Sequence, residues 1–383
     1  MIIYIYNNLG GVIMFAIRLE NLAIKNIRNL KEVKISMEEY EDLRENNSKE
    51  YSNILGLFGP NGSGKTSILY AIDILKTVMS GKNFTTKHIN NKNKGASISA
   101  TFYISDYKKF NYLVDYSFIF TRNSVVDELL KITKLGGKTI EVPKFGNSNL
   151  KSQIFNEYNM QNYGLIKELM DFANNKLVLS FNKNIVEFDI KDFYSNMDSK
   201  IFNLLQPLYI EADEINLVNQ VLDKINNVLS LVVKRELNLV NYIDNRYMAV
   251  VKTDNGYIDL AEESLGIINI IQLVINLIPL SVDSSRCLCI DEIESSVFDS
   301  LTTEIIKSVD SCLSGQIIFT SHQFSLLDEL KNTNIYYLKD GVAIKNQNKC
   351  DPYHSYLNYI YRKSDILPSR AHVSVAFRKS GGN

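Results

Sequence analysis

The sequence predicts an α/β fold in which buried strands that lie far apart along the chain end at one common site. Three short apolar runs support this prediction, and each of them ends in glycine or in polar side chains. A pattern with helical spacing, "TSILYAIDILKTV", follows the first run directly. The three runs are "NILGLF" at residues 53–58, "CLCI" at 287–290 and "QIIF" at 316–319.

The loop between the first strand and its helix has the spacing G-x-x-x-x-G-K-[ST]. Its glycines let the backbone fold closely around a phosphate, so that N–H groups and the helix N-terminus point at the anion. We expect Lys65 to reach the β- and γ-phosphates of ATP and Thr66 to hold Mg²⁺. The predicted nucleotide-binding residues of this loop are Gly59, Asn61, Gly62, Ser63, Gly64, Lys65, Thr66 and Ser67.

Two carboxylates follow the second strand in "CLCIDEIESS". We expect Asp291 to act as a metal ligand through the Mg²⁺ shell and Glu292 to orient and deprotonate the attacking water. Acidic residues at a strand end are often only solvated, so this pair alone leaves both interpretations open. Cys287 and Cys289 lie on alternate residues of the strand, without the spacing of a zinc site, and are predicted to be core residues.

The third strand ends in Ser321 and His322. A lone histidine at such a place is more often structural, but a polar strand end beside a phosphate also suits a sensor of the γ-phosphate. Between the first and the second of the three strands, "DLAEESLGIINIIQLVI" places Ser264 and Gly266 at the start of a long apolar helix. Taken alone, Ser264 is best interpreted as a helix N-cap.

The order of these motifs resembles the head of ATP-binding-cassette (ABC) ATPases. In that family two heads pair head to tail, and the Ser-x-Gly helix of one head faces the γ-phosphate that the other holds. The resemblance implies a homodimer or higher homo-oligomer, a signature at Ser264 and Gly266, and a switch histidine at His322. It also implies that Ser295 and Ser296 lie in the loop that crosses the dimer seam. The expected fold is a P-loop NTPase of the ABC type with a mixed sheet core, an antiparallel β lobe and a mainly helical insert.

Two features narrow the resemblance. The signature Glu263-Ser264-Leu265-Gly266 and the "N-x-R-N" turn of "LAIKNIRNLKEVKI" resemble the branch that contains SMC-type ATPases and the OLD (overcoming lysogenization defect) proteins. Arg28 is the matching arginine of that turn, which implies a position near the nucleotide base or phosphates. Cassette ATPases often carry a glutamine that touches Mg²⁺ at a strand end after the first helix. This chain has no glutamine between Thr66 and Gln153, so the metal's last ligand is open.

The pattern divides the chain into four regions. We predict an N-terminal ATPase lobe over 1–120, a helix-rich insert over 121–260 and a C-terminal ATPase lobe over 261–345, followed by an aromatic and basic tail over 346–383. The insert contains "EINLVNQVLDKINNVLSLVVKREL", in which apolar residues keep a 3.6-residue period. The residues of that stripe are Leu217, Val221, Ile225, Val228 and Leu229.

The sequence predicts a cytoplasmic protein, and its charge balance leaves a local patch for nucleic acid open. Lysine and arginine number 42 against 43 acids, which gives no global basic field. The apolar run at residues 267–280 is expected to be too short and too polar to cross a membrane. The N-terminal residues make a poor signal peptide, and either Met1 or Met14 is the start. Residues 74–105 contain no Asp or Glu. This acid-free stretch is either a solvated loop or a contact for nucleic acid or an acidic partner. Its lysines are Lys76, Lys82, Lys87, Lys92 and Lys94.

The resemblance extends to the stand-alone AAA/ABC ATPases of bacterial abortive-infection and phage-defence systems. It implies an ATP-driven switch that controls a separate effector, a nuclease or a toxin, since no second carboxylate-rich domain of the OLD type follows His322. The alternative is a DNA repair or recombination ATPase that acts directly on nucleic acid. A nucleotide-binding subunit of a transporter ranks last, because it needs a membrane partner and a longer signature.

Overall fold

The computed structural model describes most of the region that carries these motifs. The expected seam residues Ser295 and Ser296, as well as Lys92, Lys94 and Met14, lie outside the described residues, as does the tail beyond residue 346. The described residues are 15–37, 53–85, 87, 89–90, 95–106, 111–145, 148–157, 164–181, 185–243, 245–254, 256–294, 299–310, 312–323, 326–327, 330 and 334–346.

The described residues form strands and α-helices with the following bounds. The strands are β1 (Phe15–Ile27), β2 (Leu30–Ser36), β3 (Ile54–Phe58), β4 (Ala96–Asp106), β5 (Asn111–Phe120), β6 (Ser124–Lys134), β7 (Thr139–Phe145), β8 (Ser148–Asn149), β9 (Leu177–Ser180), β10 (Glu187–Asp189), β11 (Ile201–Asn203), β12 (Leu208–Tyr209), β13 (Glu236–Ile243), β14 (Arg246–Thr253), β15 (Gly256–Asp259), β16 (Cys287–Ile290), β17 (Gln316–Ser321), β18 (Asn334–Lys339) and β19 (Val342–Lys345). The α-helices are α1 (Lys65–Met79), α2 (Ile154–Glu157), α3 (Gly164–Asp171), α4 (Ile190–Phe193), α5 (Ile215–Val232), α6 (Leu265–Val282) and α7 (Asp299–Asp310).

The three predicted apolar runs form the centre of one six-stranded sheet. Its order is β19-β18-β3-β17-β16-β9, and all neighbouring pairs except β18 with β19 are parallel. Every residue of β3, β16 and β17 is buried, as expected of parallel strands that are covered on both faces. Cys287 and Cys289 are both buried on this sheet, which confirms that they are core residues. The parallel arrangement brings the C-terminal ends of β3, β16 and β17 to one edge.

A second, antiparallel sheet covers α1. Its order is β2-β1-β4-β5-β6-β7, with β8 paired to β6. The buried side chains of α1, including Ile68, Leu69, Ile72 and Leu75, share one hydrophobic core with this sheet and with β3, β16 and β18. The predicted stripe of α1 is therefore confirmed. The sheet continues past the expected boundary at residue 121, because β6 pairs along almost its whole length with β5.

The insert holds strands as well as helices. Strands β12, β14 and β13 form a sheet in that order, with β15 also paired to β14, and α5 packs against β13. Helix α5 buries Val221, Ile225 and Leu229 as predicted, but Val228 is 36% exposed and Leu217 is only partly buried. Val218 and Leu222 take their places, so the apolar stripe lies slightly further round the helix than the sequence pattern indicates.

Helix α6 belongs to two hydrophobic cores. Ile268, Ile271 and Ile275 pack in the core of the insert, whereas Leu273 and Leu277 pack against the parallel sheet. The helix has 18 residues and by length and composition could cross a membrane, so the expectation that this run is too short and too polar is wrong. It is longer than the apolar run because it begins directly after its N-cap, Ser264. Half of it is buried in the fold, which suits a core helix.

Candidate nucleotide-binding and hydrolysis site

The glycine-rich loop connects β3 to α1 and needs glycine at two positions for different reasons. A Cβ on Gly59 would lie 2.5 Å from the backbone oxygen of Leu338. Gly64 has φ +114° and caps the N-terminus of α1, and a Cβ there would lie 2.6 Å from a methyl group of Leu30. The left-handed backbone and the close packing exclude larger residues. The loop is therefore shaped by its neighbours before any ligand binds.

Lys65 is buried in the loop and is held by neutral groups. Its Nζ donates to the backbone oxygens of Gly59 at 2.6 Å and Pro60 at 3.0 Å, and it lies 3.1 Å from Nδ1 of His322. Burial lowers the pKa of Lys65 from 10.5 to about 8, although the charges of the nearby carboxylates oppose this effect. A buried amine with a lowered pKa gains most from an anionic ligand such as phosphate.

The carboxylate turn after β16 reaches this loop. Oδ1 of Asp291 accepts hydrogen bonds from Oγ1 of Thr66 at 3.0 Å and from Oγ1 of Thr320 at 2.6 Å. Glu292 has φ +47°, in the left-handed region, which costs a non-glycine residue roughly 1–2 kcal/mol. Strain of this kind concentrates at functional sites.

His322 lies between the lysine and the glutamate. Its Nδ1 is the atom next to Lys65, and its Nε2 lies 3.4 Å from Oε1 of Glu292. Since a lysine ammonium only donates, Nδ1 of His322 is the acceptor in its contact with Lys65. The backbone N–H of His322 donates to Oε1 of Glu294 at 2.6 Å. The ends of β3, β16 and β17 thus form one connected group of side chains.

The oxygen atoms present fit Mg²⁺ together with phosphate. The hydroxyl of Thr66 and the carboxylate of Asp291 are hard oxygen ligands, which Mg²⁺ prefers. In the described part of the chain, no group of three or more His, Cys, Asp or Glu side chains could hold a metal ion. A Mg²⁺ ion here would complete its shell with phosphate oxygens and water. Oγ of Ser63 in the loop is buried and has no hydrogen-bond partner among the described residues, which also suits an anionic ligand.

The strand end beside the carboxylate turn carries an aromatic ring. Strand β9 is the parallel neighbour of β16, and the N–H of Asp291 donates to the backbone oxygen of Ser180 at 3.1 Å. The next residue, Phe181, stacks on Tyr70 of α1 with ring centroids 4.9 Å apart.

The "N-x-R-N" turn contacts both α1 and the phosphate loop. Arg28 has φ +49°, and its guanidinium carbon lies 4.3 Å from the centroid of the Tyr70 ring. The neighbouring Asn29 donates to the backbone oxygen of Gly62 and accepts from Oγ of Ser67, both at 2.6 Å. Sequence reasoning singled out Arg28 and missed Asn29. The signal was the second asparagine of the same motif.

Ser264 and Gly266 occupy the start of α6. The Ser264 hydroxyl accepts from the N–H of Ile267 at 3.3 Å, so its N-cap role is confirmed. Ser264 is exposed, and so is Leu265 at 53%. The hydrogen bonds of Ser264 are local, and the structure does not join it to Lys65, Asp291, Glu292 or His322 within the described residues. Asn61 is also exposed, at the outer side of the phosphate loop.

The acid-free stretch does not present all its lysines to solvent. Nζ of Lys76 donates to the backbone oxygen of Leu177 at 2.7 Å, and burial lowers its pKa. Lys76 therefore links α1 to β9 and is not part of a surface patch. Lys82 and Lys87 are exposed.

Comparison with known proteins identifies the family. The family model described as "AAA domain, putative AbiEii toxin, Type IV TA system" matches residues 54–328, which is most of the chain. No curated protein matches the sequence.

The chain is similar to solved structures that are distant from it in sequence. The chain is similar to an SMC head bound to the C-winged helix domain of ScpA, with 13% identity, a TM-score of 0.47, and 86% of this chain and 96% of that chain covered. It is similar to the SMC head domain from Thermotoga maritima, with 14% identity, a TM-score of 0.40 and coverage of 86% and 98%. It is also similar to the recombination mediator RecF with ATP, with 12% identity, a TM-score of 0.45 and coverage of 87% and 100%.

The predicted α/β fold with a mixed sheet core is confirmed, and the match to an AAA domain agrees with the predicted P-loop ATPase. A fold of this family implies nucleotide binding and hydrolysis. The chain belongs to the family "AAA domain, putative AbiEii toxin, Type IV TA system".

Proposed function

We propose that the chain is an ATP-binding and ATP-hydrolysing switch that requires Mg²⁺. The observation that carries the proposal is the connected group at the sheet edge. Lys65, His322 and Glu292 are neighbours in space although they come from three separate parts of the sequence. A cation for phosphate, a polar sensor and a general base are the groups that phosphoryl transfer to water requires.

In the proposed mechanism each residue acts on a stated atom. Lys65 exchanges its bonds to the Gly59 and Pro60 oxygens for phosphate oxygens and stays protonated. Thr66 and Asp291 would hold Mg²⁺, which would neutralise charge on the phosphates. Glu292 accepts a proton from the attacking water, and His322 leaves Lys65 to contact the terminal phosphate.

We also propose that two copies close head to tail around ATP. The exposed start of α6 supports this proposal, because Ser264 and Leu265 are accessible to a second copy. The N-terminus of an 18-residue helix carries partial positive charge, which suits a phosphate held by the partner. Gly266 in the first turn lets that phosphate approach the backbone closely.

The switch is proposed to control a separate effector, a nuclease or toxin, in a cytoplasmic anti-phage system. The family description, with its toxin and Type IV toxin–antitoxin system, supports a role of this class. The test is a phage challenge of cells that express the chain with its neighbouring genes, with wild type beside Lys65→Ala. Protection should require the intact lysine. Toxicity of the chain expressed alone would place the effector in this chain instead.

The nucleotide step is tested with purified protein. Lys65→Ala should abolish ATP binding, because the buried phosphate charge loses its point-charge partner. Unchanged affinity in a titration would remove the phosphate-loop assignment. Strong stimulation of hydrolysis by DNA, without any partner protein, would favour the alternative DNA repair or recombination ATPase.

A further inference from the structure

Thr320, one residue before the end of β17, contacts three consecutive residues of the carboxylate turn. Its hydroxyl donates to Oδ1 of Asp291 at 2.6 Å and accepts from the N–H of Glu292 at 2.7 Å. Its backbone oxygen accepts from the N–H of Ile293 at 3.0 Å. We propose that Thr320 is the positioning residue of the site. The proposal deepens, and rests on, the proposed ATP hydrolysis.

The position of Thr320 follows from strand register. Strands β16 and β17 are parallel, and Ile290 pairs with Phe319, so the residue after each lies beside the other at the sheet edge. Thr320 has no exposed surface. Water therefore does not compete for the two hydrogen bonds of its hydroxyl, and both bonds keep their direction.

The hydroxyl fixes the orientation of the metal carboxylate. A threonine hydroxyl has a single proton, and the N–H of Glu292 occupies an acceptor site on the same oxygen. The proton is thereby directed at Oδ1 of Asp291, which also accepts from Thr66. These two bonds fix the orientation of the Asp291 carboxylate. In that orientation the carboxylate would face the shell of a bound Mg²⁺.

The same hydroxyl fixes the direction of the general base. Glu292 has φ +47°, so its side chain leaves the line of the strand and lies beside His322. A glutamate does not adopt this conformation without support, and its N–H is the group that Thr320 holds. Loss of the hydroxyl therefore releases both carboxylates of the pair at once.

The test compares Thr320→Val, which keeps the shape and removes the hydroxyl, with Thr320→Ser, which keeps the hydroxyl. Thr302→Val is the matched control, because Thr302 is an equally buried threonine on α7. The probe is a fluorescent ATP analogue, titrated with Mg²⁺ and with the ion removed by chelator. In Thr320→Val the gain in affinity from Mg²⁺ should fall by ~10–100-fold, as when an outer-shell partner of a metal ligand is lost. Metal-free affinity should not change.

Thr320→Ser should restore most of the Mg²⁺ effect, and Thr302→Val should retain it. Wild-type Mg²⁺ dependence and turnover in Thr320→Val would overturn the inference. Equal losses in both valine variants, with metal-free affinity also reduced, would show a merely structural threonine and overturn it too. Thr320→Cys, with its weaker donor, serves if the valine variant does not fold, and should show the same loss. A wild-type chain that neither binds nor hydrolyses ATP would instead sink the proposed function.

Discussion

The amine of Lys65 has hydrogen-bond partners without a ligand and is still suited to bind phosphate. Its amine is satisfied by two backbone oxygens, which carry no charge to balance its own. Burial lowers its pKa from 10.5 to about 8, so close to neutral pH the ammonium is kept at a cost. Phosphate removes that cost, and the binding of ATP should therefore be linked to protons.

The first prediction is a pH dependence of nucleotide affinity. Above pH 8 the ligand-free amine of Lys65 loses its proton, whereas the amine bound to phosphate keeps it. Affinity should fall by ~10-fold per pH unit above that point. The folding stability of the ligand-free chain should change in the opposite direction. The pKa of Lys65 in the native chain lies below the unfolded value of 10.5, so the free energy of unfolding rises as pH rises from about 8 to 10.5.

Lys65→Arg is the control for this titration, because arginine keeps its charge throughout. Whatever its absolute affinity, the variant should lose the decline between pH 8 and 9.5. Calorimetry in buffers of different ionisation enthalpy would show proton uptake with wild type alone. The same decline in the arginine variant would assign the pH dependence to another group.

The second prediction concerns Glu292. Glu292→Gln keeps the volume of the side chain and leaves Asp291 in place but removes the base, so ATP turnover should fall by ~10² or more. Nucleotide affinity should survive. Glu304→Gln, at an exposed glutamate of α7, should leave turnover unchanged. Near-normal hydrolysis in Glu292→Gln would mean that a different group activates the water.

Residues with a sequence motif were predictable, and those that depend on strand register were not. The positions of the "DE" pair and of Lys65 at one edge of the sheet were predictable from the spacing of their motifs. Asn29 was within reach, because it belongs to the same turn as Arg28. Thr320 and Glu294 were not, because their partners depend on which strands become neighbours in the sheet.

At the scale of elements, strands and helices with a clear period were predicted well, and their ends were not. The pattern predicts that α5 continues to Leu237, but the helix ends at Val232. Lys234 has φ +52°, and the side chain of Asn226 bonds both the N–H and the oxygen of Leu237. These contacts turn the chain from helix into β13. The decisive partner lies a full three turns back, where no local pattern shows it.

The third prediction tests the start of α6. If Ser264 acts on nucleotide held by a second copy, Ser264→Arg mixed with Glu292→Gln should form heterodimers with at most one intact site. ATP-dependent association of Ser264→Arg alone should weaken, because arginine blocks the first turn of the helix. Sizing chromatography with and without ATP measures both effects. Equal ATP-driven association of wild type and Ser264→Arg would count against action in trans.

At the scale of the whole molecule, the proposed function makes the assembly depend on the nucleotide. The fourth prediction is that Glu292→Gln accumulates as a long-lived closed dimer in ATP, because in the proposed function ATP joins the two copies and its cleavage separates them. In cells this variant should hold the effector in one state whatever the trigger. The measurement is light scattering with ATP, then after dilution into ADP. A dimer that separates as fast as wild type would contradict the link between hydrolysis and opening.

Helix α6 limits how this protein can change in evolution. Because Ile268, Ile271 and Ile275 complete the core of the insert while Leu273 and Leu277 complete that of the parallel sheet, the same few turns are inherited with both. If a foreign insert replaced this one up to the loop before Ser264, its core would have to pack against α6 isoleucines that fit the original insert. A recombination that exchanges inserts between relatives therefore has to carry α6 along as far as Ile275. The signature at the start of that helix would be exchanged with it.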